Sequence, residues 1–393
     1  MISVNDALTH ILAELPKLNT EKVTLYDAMG RVLAMDVSAK VSHPPFDSSS
    51  MDGYLIADQT PMTDKPYILI GESAAGKPFN RAITKNETIR IFTGAPVPVG
   101  GRRVIIQEDI TKKGKEIWVQ PTYDKKNYIR PIGNDFSIHS VLNAPVLLTP
   151  YHVSLIAAMN LNEVNVSSKP RVAIVTTGDE LVMPGETPSE SQIISSNAFG
   201  LYSMVKNQGA DPIILPIARD NEDSLISVLK LATDCDLILT IGGASVGDYD
   251  IVQKCLKVMG LQLSFYKVAM KPGKPLFAGK LGASSVIGLP GNPISSLICG
   301  ELFVVPALKK MLGLTDVART TVNIKISHNL QTNGPRETYM RASVDSSLEN
   351  VKAFSRQDSS LITILTQSNA LIKRPANAPP VSKGSQVPVL FLS

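Results

Sequence analysis

Residues 268–300 read VAMKPGKPLFAGKLGASSVIGLPGNPISSLICG. Two runs of β character, KPLFAGKL (274–281) and SSVIGLPG (284–291), lead through Gly-Leu-Pro-Gly-Asn-Pro straight into a helix-forming run, PISSLICGELFVVPALKKML (293–312). Proline fixes φ and glycine reaches backbone conformations that other residues avoid. The segment therefore predicts a rigid, bent strand-to-helix junction, with lysines close by. The same rhythm runs through the preceding hundred residues. Strand patterns at RVAIVTTG (171–178), DPIILPIA (211–218), CDLILTIGG (235–243) and LSFYKVAM (263–270) alternate with helix patterns at SSNAFGLYSMVKNQG (195–209), NEDSLISVLKLATD (221–234) and DYDIVQKCLKVMG (248–260). Strands alternating with helices predict a mostly parallel sheet covered on both faces. Ligands of such sheets bind beyond the carboxyl ends of the strands.

The rhythm differs on either side. Residues 3–18 carry a helical pattern, and EKVTLYDAMGRVLAMDV (21–37) reads as strand–turn–strand. Between 46 and 138 short β runs follow one another, YILIGES, ETIRIFTG, RRVIIQEDI and KEIWVQP, separated by turn residues. A helical run, YHVSLIAAMN (151–160), and short strands come next. The β-rich segment thus reads as an insertion into a unit made from both of its flanks. Beyond 317 the β pattern returns in TTVNIKIS, RETYMRASV, ALIKRP and QVPVLFLS, with a short helical stretch near 359–367. The expected fold class is α/β and β multidomain. It has a linking domain from 1–45 and 139–168, an inserted β-rich domain at 46–138, a central mostly parallel α/β domain at 169–316 and a C-terminal β-barrel-like domain at 317–393.

Composition narrows the function. The chain has 393 residues, 44% hydrophobic and 19% charged, with 39 basic against 35 acidic residues and a net charge of +4. That balance gives no bulk electrostatic case for nucleic acid or a membrane surface as a partner. No apolar run reaches the 18 residues a membrane span needs, and the amphipathic N-terminus lacks the basic start of a signal peptide. The three cysteines, Cys235, Cys255 and Cys299, are far apart and unpaired, which fits a reducing, cytoplasmic compartment. The five histidines are scattered, so metal or acid–base chemistry rests on carboxylates.

Three predicted strand ends carry glycine: VTTGDEL at Gly178, LTIGGASVGDYD at Gly242 and Gly243, and IGLPGNP at Gly288. Clustered backbone amides and helix N-termini favour anions, phosphates above all. Glu180, Asp220 and Asp250, with Asp179 and Asp248, lie in the same loops. Carboxylates there either cap helices or hold a divalent cation against a phosphate. Lys267, Lys271 and Lys274 fall within eight positions. As part of one strand, Lys267 and Lys271 share a face, and their apolar neighbours place them at a cleft mouth rather than on a solvated surface. In the inserted domain, Asp52 beside Gly53 and Thr93 in a Pro/Gly frame read as turn residues when taken alone.

The ordered set FDSSSMDGY (46–54), RIFTGAPVP (90–98), TTGDEL (176–181), GGASVGDYD (242–250), KPGKP (271–275) and GLPGNP (288–293) resembles the molybdopterin molybdenumtransferase family from about residue 3 to 393. Gephyrin carries a similar region in its E domain. The resemblance implies insertion of molybdenum from molybdate into adenylylated molybdopterin, with phosphoanhydride cleavage and release of AMP, assisted by Mg2+. It implies a homodimer whose cleft joins the α/β domain of one subunit to the inserted domain of the other. The molybdopterin adenylyltransferase that makes the substrate is a further implied partner. Carried over by motif, Asp52, Glu180, Asp220, Asp250, Lys267 and Lys271 are the implied catalytic residues, with Glu180, Asp220 and Asp250 as the metal-binding acids. Thr93, Asp135, Gly242, Gly243, Ser245, Lys274, Pro290, Gly291, Asn292, Pro293, Arg341 and Ser360 are the implied substrate contacts. Asp135 lies in RPIGNDF (130–136), where Pro131 and Asn134 depart from the family pattern. Two other readings remain open at this point: a gephyrin-like scaffold, and a nucleotide-ligand hydrolase of the related competence-damage family.

Overall fold

The computed structural model describes residues 1–242 and 251–392. At its centre is a six-stranded sheet in the order 211–214, 171–176, 237–241, 284–289, 277–281, 262–266. The first four strands are parallel, and the chain then folds back as an antiparallel hairpin. Alternate residues go to opposite faces. Val172, Ile174, Leu237, Leu239, Ile287 and Leu289 face one core, while Ala173, Val175, Ile238 and Val286 face the other. These strands read as continuous apolar runs because helices cover both faces. Each fully buried Leu or Ile contributes roughly 1.5–3 kcal/mol, so this doubly covered sheet is a well-buried platform for the loops at its strand ends.

The first core also takes in the chain's N-terminus. Helix Val4–Ala13, capped by the Ser3 side chain accepting the Asp6 N–H, buries Ala7 and Ile11 there. These residues are one helical turn apart, on one face. The helix predicted over 293–312 forms as Pro293–Cys299 and Val305–Met311, joined by one wide π turn at Gly300–Val304. Pro306 has no N–H to give an earlier carbonyl, and the local winding adjusts around it.

Strands Thr20–Thr24, Val32–Leu33, Val146–Leu147 and Glu163–Ser167 share one four-stranded sheet, so segments before and after the β-rich stretch pair directly. The β-rich stretch has its own six-stranded sheet, in the order 103–106, 53–56, 87–91, 67–73, 116–119, 110–113. It is buried on both faces, with Tyr54, Ile56 and Ile105 on one and Leu55, Ile89 and Ile91 on the other. The C-terminal strands close into a barrel. The order 337–344, 350–353, 322–326, 386–391, 370–374 returns to 337–344. Closure removes the free edges.

One predicted strand is corrected. LSFYKVAM is not a single strand: the sheet strand is Gln262–Tyr266, and Lys267 follows at φ 71°. The Lys267 carbonyl accepts the Ile2 N–H, and its own N–H donates to the Leu276 carbonyl. Met270–Lys271 then pairs in parallel with Glu337–Thr338 of the barrel. Lys267 and Lys271 therefore do not share a strand face. Lys267 sits at the strand's end, bonded to both Ile2 and Leu276, and Lys271 pairs with the barrel strand at Thr338.

Candidate functional site

The carboxyl ends of strands 171–176, 237–241 and 284–289 open into one cleft of about 910 Å³. Its floor is backbone: Thr177–Gly178, Gly242, and the turn Pro290–Gly291–Asn292–Pro293. The three loops are held very close. Gly242 has φ +89°, and a Cβ there would sit 3.0 Å from the Thr177 carbonyl oxygen. A Cβ on Gly291 would lie 3.5 Å from the Gly242 Cα. Only glycine permits both that conformation and that approach, so the glycines noticed in the sequence set the depth of the floor.

Glu180 and Asp220 stand on the cleft wall. The Glu180 carboxylate folds back over Gly178, within 2.5 Å of where a Cβ would be. Asp220 is held on both oxygens: the Thr177 hydroxyl donates to Oδ1 at 2.9 Å and the Asp179 N–H donates to Oδ2 at 3.4 Å. In return the Asp220 N–H donates to Asp179 Oδ1 at 3.3 Å. Asp179 is thus a knot between two loops rather than a wall residue. The Asn197 side chain, at the cleft's edge, donates to the Gly291 carbonyl at 2.7 Å. An ion pair of Glu222 with Lys254 closes the rim, and that carboxylate pushes the Lys254 pKa up. Thr177, Asn197 and Lys254 were not picked out from the sequence as site residues. Thr177 lies inside a quoted motif, but the side-chain bond of Asn197 spans 94 residues, and nothing local announces it.

Ser360 reaches the cleft from the C-terminal barrel. Its hydroxyl and its N–H both donate to Asp358 Oδ1, at 2.6 and 2.9 Å, and these bonds hold the Asp358 carboxyl below its usual range. The preceding turn hangs on Arg341, which is only 2% exposed. Its guanidinium donates to the Asp358 and Arg356 carbonyls at 2.9 and 3.3 Å, and its backbone exchanges two hydrogen bonds with the Gln357 amide. Burial works against the charge of Arg341 and lowers its pKa. In this structure Arg341 orders the loop that presents Ser360.

Beside the cleft is a second cavity of about 1210 Å³, between the KPGKP turn and the barrel. Among the described residues, Lys271, Lys274, Arg336, Arg341, Lys352 and Arg374 line it, with Asp358 the one acid in its wall. Pro275 borders both cavities, and the loop at 358–360 separates them. The anion-binding cations predicted from the sequence thus gather here, with the exception of Lys267, whose ammonium lies over the Tyr266 ring at 4.4 Å and which lines neither cavity.

Asp52 and Thr93 meet each other but do not line the cleft. Asp52 Oδ1 accepts the Thr93 N–H at 2.8 Å and the Thr93 hydroxyl at 2.9 Å. These two bonds, the backbone one foremost, hold the Asp52 carboxyl below its usual range, and the charge of Arg90 adds to them. The Arg90 guanidinium lies 5.0 Å from the centres of both the Tyr54 and Phe92 rings. Asp135 is exposed, and its N–H donates to the His43 carbonyl at 3.0 Å. Gly243, Ser245 and Asp250 lie outside the described residues. Among the described residues no group of three or more His, Cys, Asp or Glu side chains could hold a metal. Mg2+ does not require one, since it is bound by one or two carboxylates completed by substrate phosphate and water. Glu180 and Asp220, two hard oxygen donors in the wall of one cleft, fit that pattern.

The comparisons with known proteins agree along the whole chain. Residues 2–160 match the family described as MoeA N-terminal region (domain I and II), residues 173–310 the probable molybdopterin binding domain, and residues 323–392 the MoeA C-terminal region (domain IV). A molybdopterin molybdenumtransferase of Nostoc sp. is 33% identical over 410 residues, covering 100% of this chain and 94% of that relative. One from Haemophilus influenzae is 34% identical over 80% of this chain and 78% of its own length. The crystal structure of a molybdopterin biosynthesis protein from Pyrococcus horikoshii superposes with a TM-score of 0.86 at 27% identity, covering 100% of both chains. The chain belongs to the molybdopterin molybdenumtransferase family, the MoeA enzymes of molybdenum cofactor biosynthesis.

Proposed function

We propose that the chain inserts molybdenum, delivered as molybdate, into the dithiolene of adenylylated molybdopterin, with cleavage of the phosphoanhydride and release of AMP. The observation that carries this reading is the pairing of the two cavities. A cleft floored by glycine loops, ending in the Gly291–Asn292 turn, and walled by carboxylates suits a diphosphate ester held with a cation, and a lysine- and arginine-lined cavity beside it suits a small oxyanion. In the cleft, the Gly291–Asn292 part of the Pro290–Pro293 turn holds the phosphates, Gly242 lets the loops approach, and Thr177 fixes the rotamer of Asp220. Glu180 and Asp220, with Asp250, would hold Mg2+, which neutralises charge developing on the leaving phosphate. Lys271 and Lys274 draw in molybdate, and Arg341 keeps Ser360 at the border of the two compartments. Asp52, Thr93 and Asp135 complete the cleft from the inserted domain of a second copy, which makes the working form a homodimer. The unpaired buried cysteines suit a cytoplasmic enzyme that receives its substrate from the molybdopterin adenylyltransferase. Among the described residues no helix is long and apolar enough to cross a membrane.

The test is chromatographic detection of AMP after incubation with adenylylated molybdopterin and Mg2+, with and without molybdate. AMP is expected only with molybdate, and Asp220→Asn is expected to slow its release by roughly 100-fold, the order for a group that organises charge in a transition state. AMP release independent of molybdate would favour a nucleotide-ligand hydrolase, and none in either condition would favour a scaffold.

A further inference from the structure

The Asn197 side chain is a strut between two parts of the cleft. It stands on the first residue of helix Asn197–Asn207, just after the two-residue strand Ile193–Ile194, which pairs with Leu181–Val182. That ribbon begins at Glu180, whose carbonyl accepts the Ile193 N–H at 2.8 Å. At its other end, Asn197 Nδ2 donates to the Gly291 carbonyl at 2.7 Å. One amide side chain therefore ties the Glu180 segment to the Gly-Leu-Pro-Gly-Asn-Pro turn.

The bond fixes more than a distance. A peptide unit is planar and trans, so its C=O and the following N–H point in opposite directions. Holding the Gly291 carbonyl toward Asn197 turns the Asn292 N–H the other way. Among the described residues nothing accepts that N–H, whereas its neighbours are committed: the Ile294 N–H donates to the Ser359 carbonyl at 3.1 Å and the Ser296 N–H to the Asn292 carbonyl at 2.9 Å. Glycine at 291 makes this peptide easy to rotate, so its direction needs an external hold. We propose that Asn197 is a positioning residue that orients the Gly291–Asn292 peptide so that an N–H, rather than a carbonyl, is offered to the phosphate groups of the ligand. The proposal deepens the reading of the cleft as a diphosphate site and rests on it.

Two variants separate this role from a merely structural one. Asn197→Ala removes the donor. Asn197→Asp keeps the shape but sets a carboxylate against the Gly291 carbonyl, which turns the peptide over and adds negative charge near the ligand. An acidic residue in the first turn favours the helix itself, so the Asp variant should melt no lower than the Ala variant. Binding should run the other way. With inorganic pyrophosphate as the probe in isothermal titration, Asn197→Ala should bind about tenfold more weakly than wild type, the loss of one hydrogen bond to a charged group. Asn197→Asp should bind more weakly still. With adenylylated molybdopterin, the loss should appear in KM more than in kcat. Pyrophosphate affinity in the Asp variant equal to wild type, an Asp variant that binds better than Ala, or a wild-type protein that ignores pyrophosphate would each overturn the role. If pyrophosphate binding follows the predicted order while AMP release needs no molybdate, the positioning role stands and the transferase reading falls.

Discussion

Gly242→Ala puts a number on the close approach of the cleft loops. Gly242 lies at φ +89°, where an added Cβ meets the Thr177 carbonyl oxygen at 3.0 Å. Alanine pays about 1–2 kcal/mol for the left-handed region, and the more restricted unfolded chain returns about 0.4–1 kcal/mol. The contact adds a further cost, because the Thr177 carbonyl, between N–H groups tied to Ile241 and Ala218, cannot swing aside as a side chain would. Displacements of that kind cost about 1–3 kcal/mol. The net expectation is a loss of about 2–3 kcal/mol. Gly282→Ala is the control: φ is +59° and nothing lies within 4 Å of the added Cβ, so only the conformational part remains, about 0.5–1 kcal/mol. Urea denaturation followed by far-ultraviolet circular dichroism reads both. AMP release adds the functional half. Moving the Thr177 backbone moves the hydroxyl that holds Asp220, so the Gly242 variant should also lose activity, while the Gly282 variant keeps it. Equal stability losses with equal activities would refute the argument that this approach sets the geometry of the floor.

Two other outcomes follow from named bonds. Thr93→Val removes one of the two bonds to Asp52 and keeps the stronger backbone one, so the Asp52 carboxyl should titrate higher than in wild type yet below its ordinary value of 3.8, as read by carbon-13 shifts. Because the folded-state pKa is depressed, its contribution to stability is present above that ordinary value and fades as pH falls through the folded-state midpoint. A midpoint unchanged by the substitution would discount the hydroxyl. Arg341→Lys keeps the charge but loses the fork that reaches two carbonyls, and should cost roughly 2–3 kcal/mol while speeding amide exchange at 356–360. Unaltered exchange would remove Arg341 as the anchor of that loop.

Much of the fold was legible because its signals are local. The apolar runs at 171–176, 237–241 and 284–289 form buried strands as their patterns predict; Gly242 directly follows the second and Gly178 comes two residues after the first, while Gly288, read as a strand end, lies inside the third. The helical stretch near 359–367 is present as Ile362–Thr366. What escaped depends on distant partners. Lys267 sits at positive φ where its strand ends, with the Ile2 N–H on its carbonyl, a contact that no window around 267 contains. The Arg341 guanidinium also donates to carbonyls 15 and 17 residues further on, bonds that no local pattern announces. Asn197 reads as the start of a helix pattern, and its use appears only when the Pro290–Pro293 turn is brought alongside.

The stretch from Asp358 to Ser360 is a party wall. Asp358 and Ser359 face the lysine-lined cavity, Ser360 faces the carboxylate cleft, and the Ser359 carbonyl is fastened to the Ile294 N–H at the foot of a core helix. A change in any of these three residues alters two rooms at once. A mutant here that loses affinity for one guest says nothing about which room was damaged until the other guest has been titrated as well.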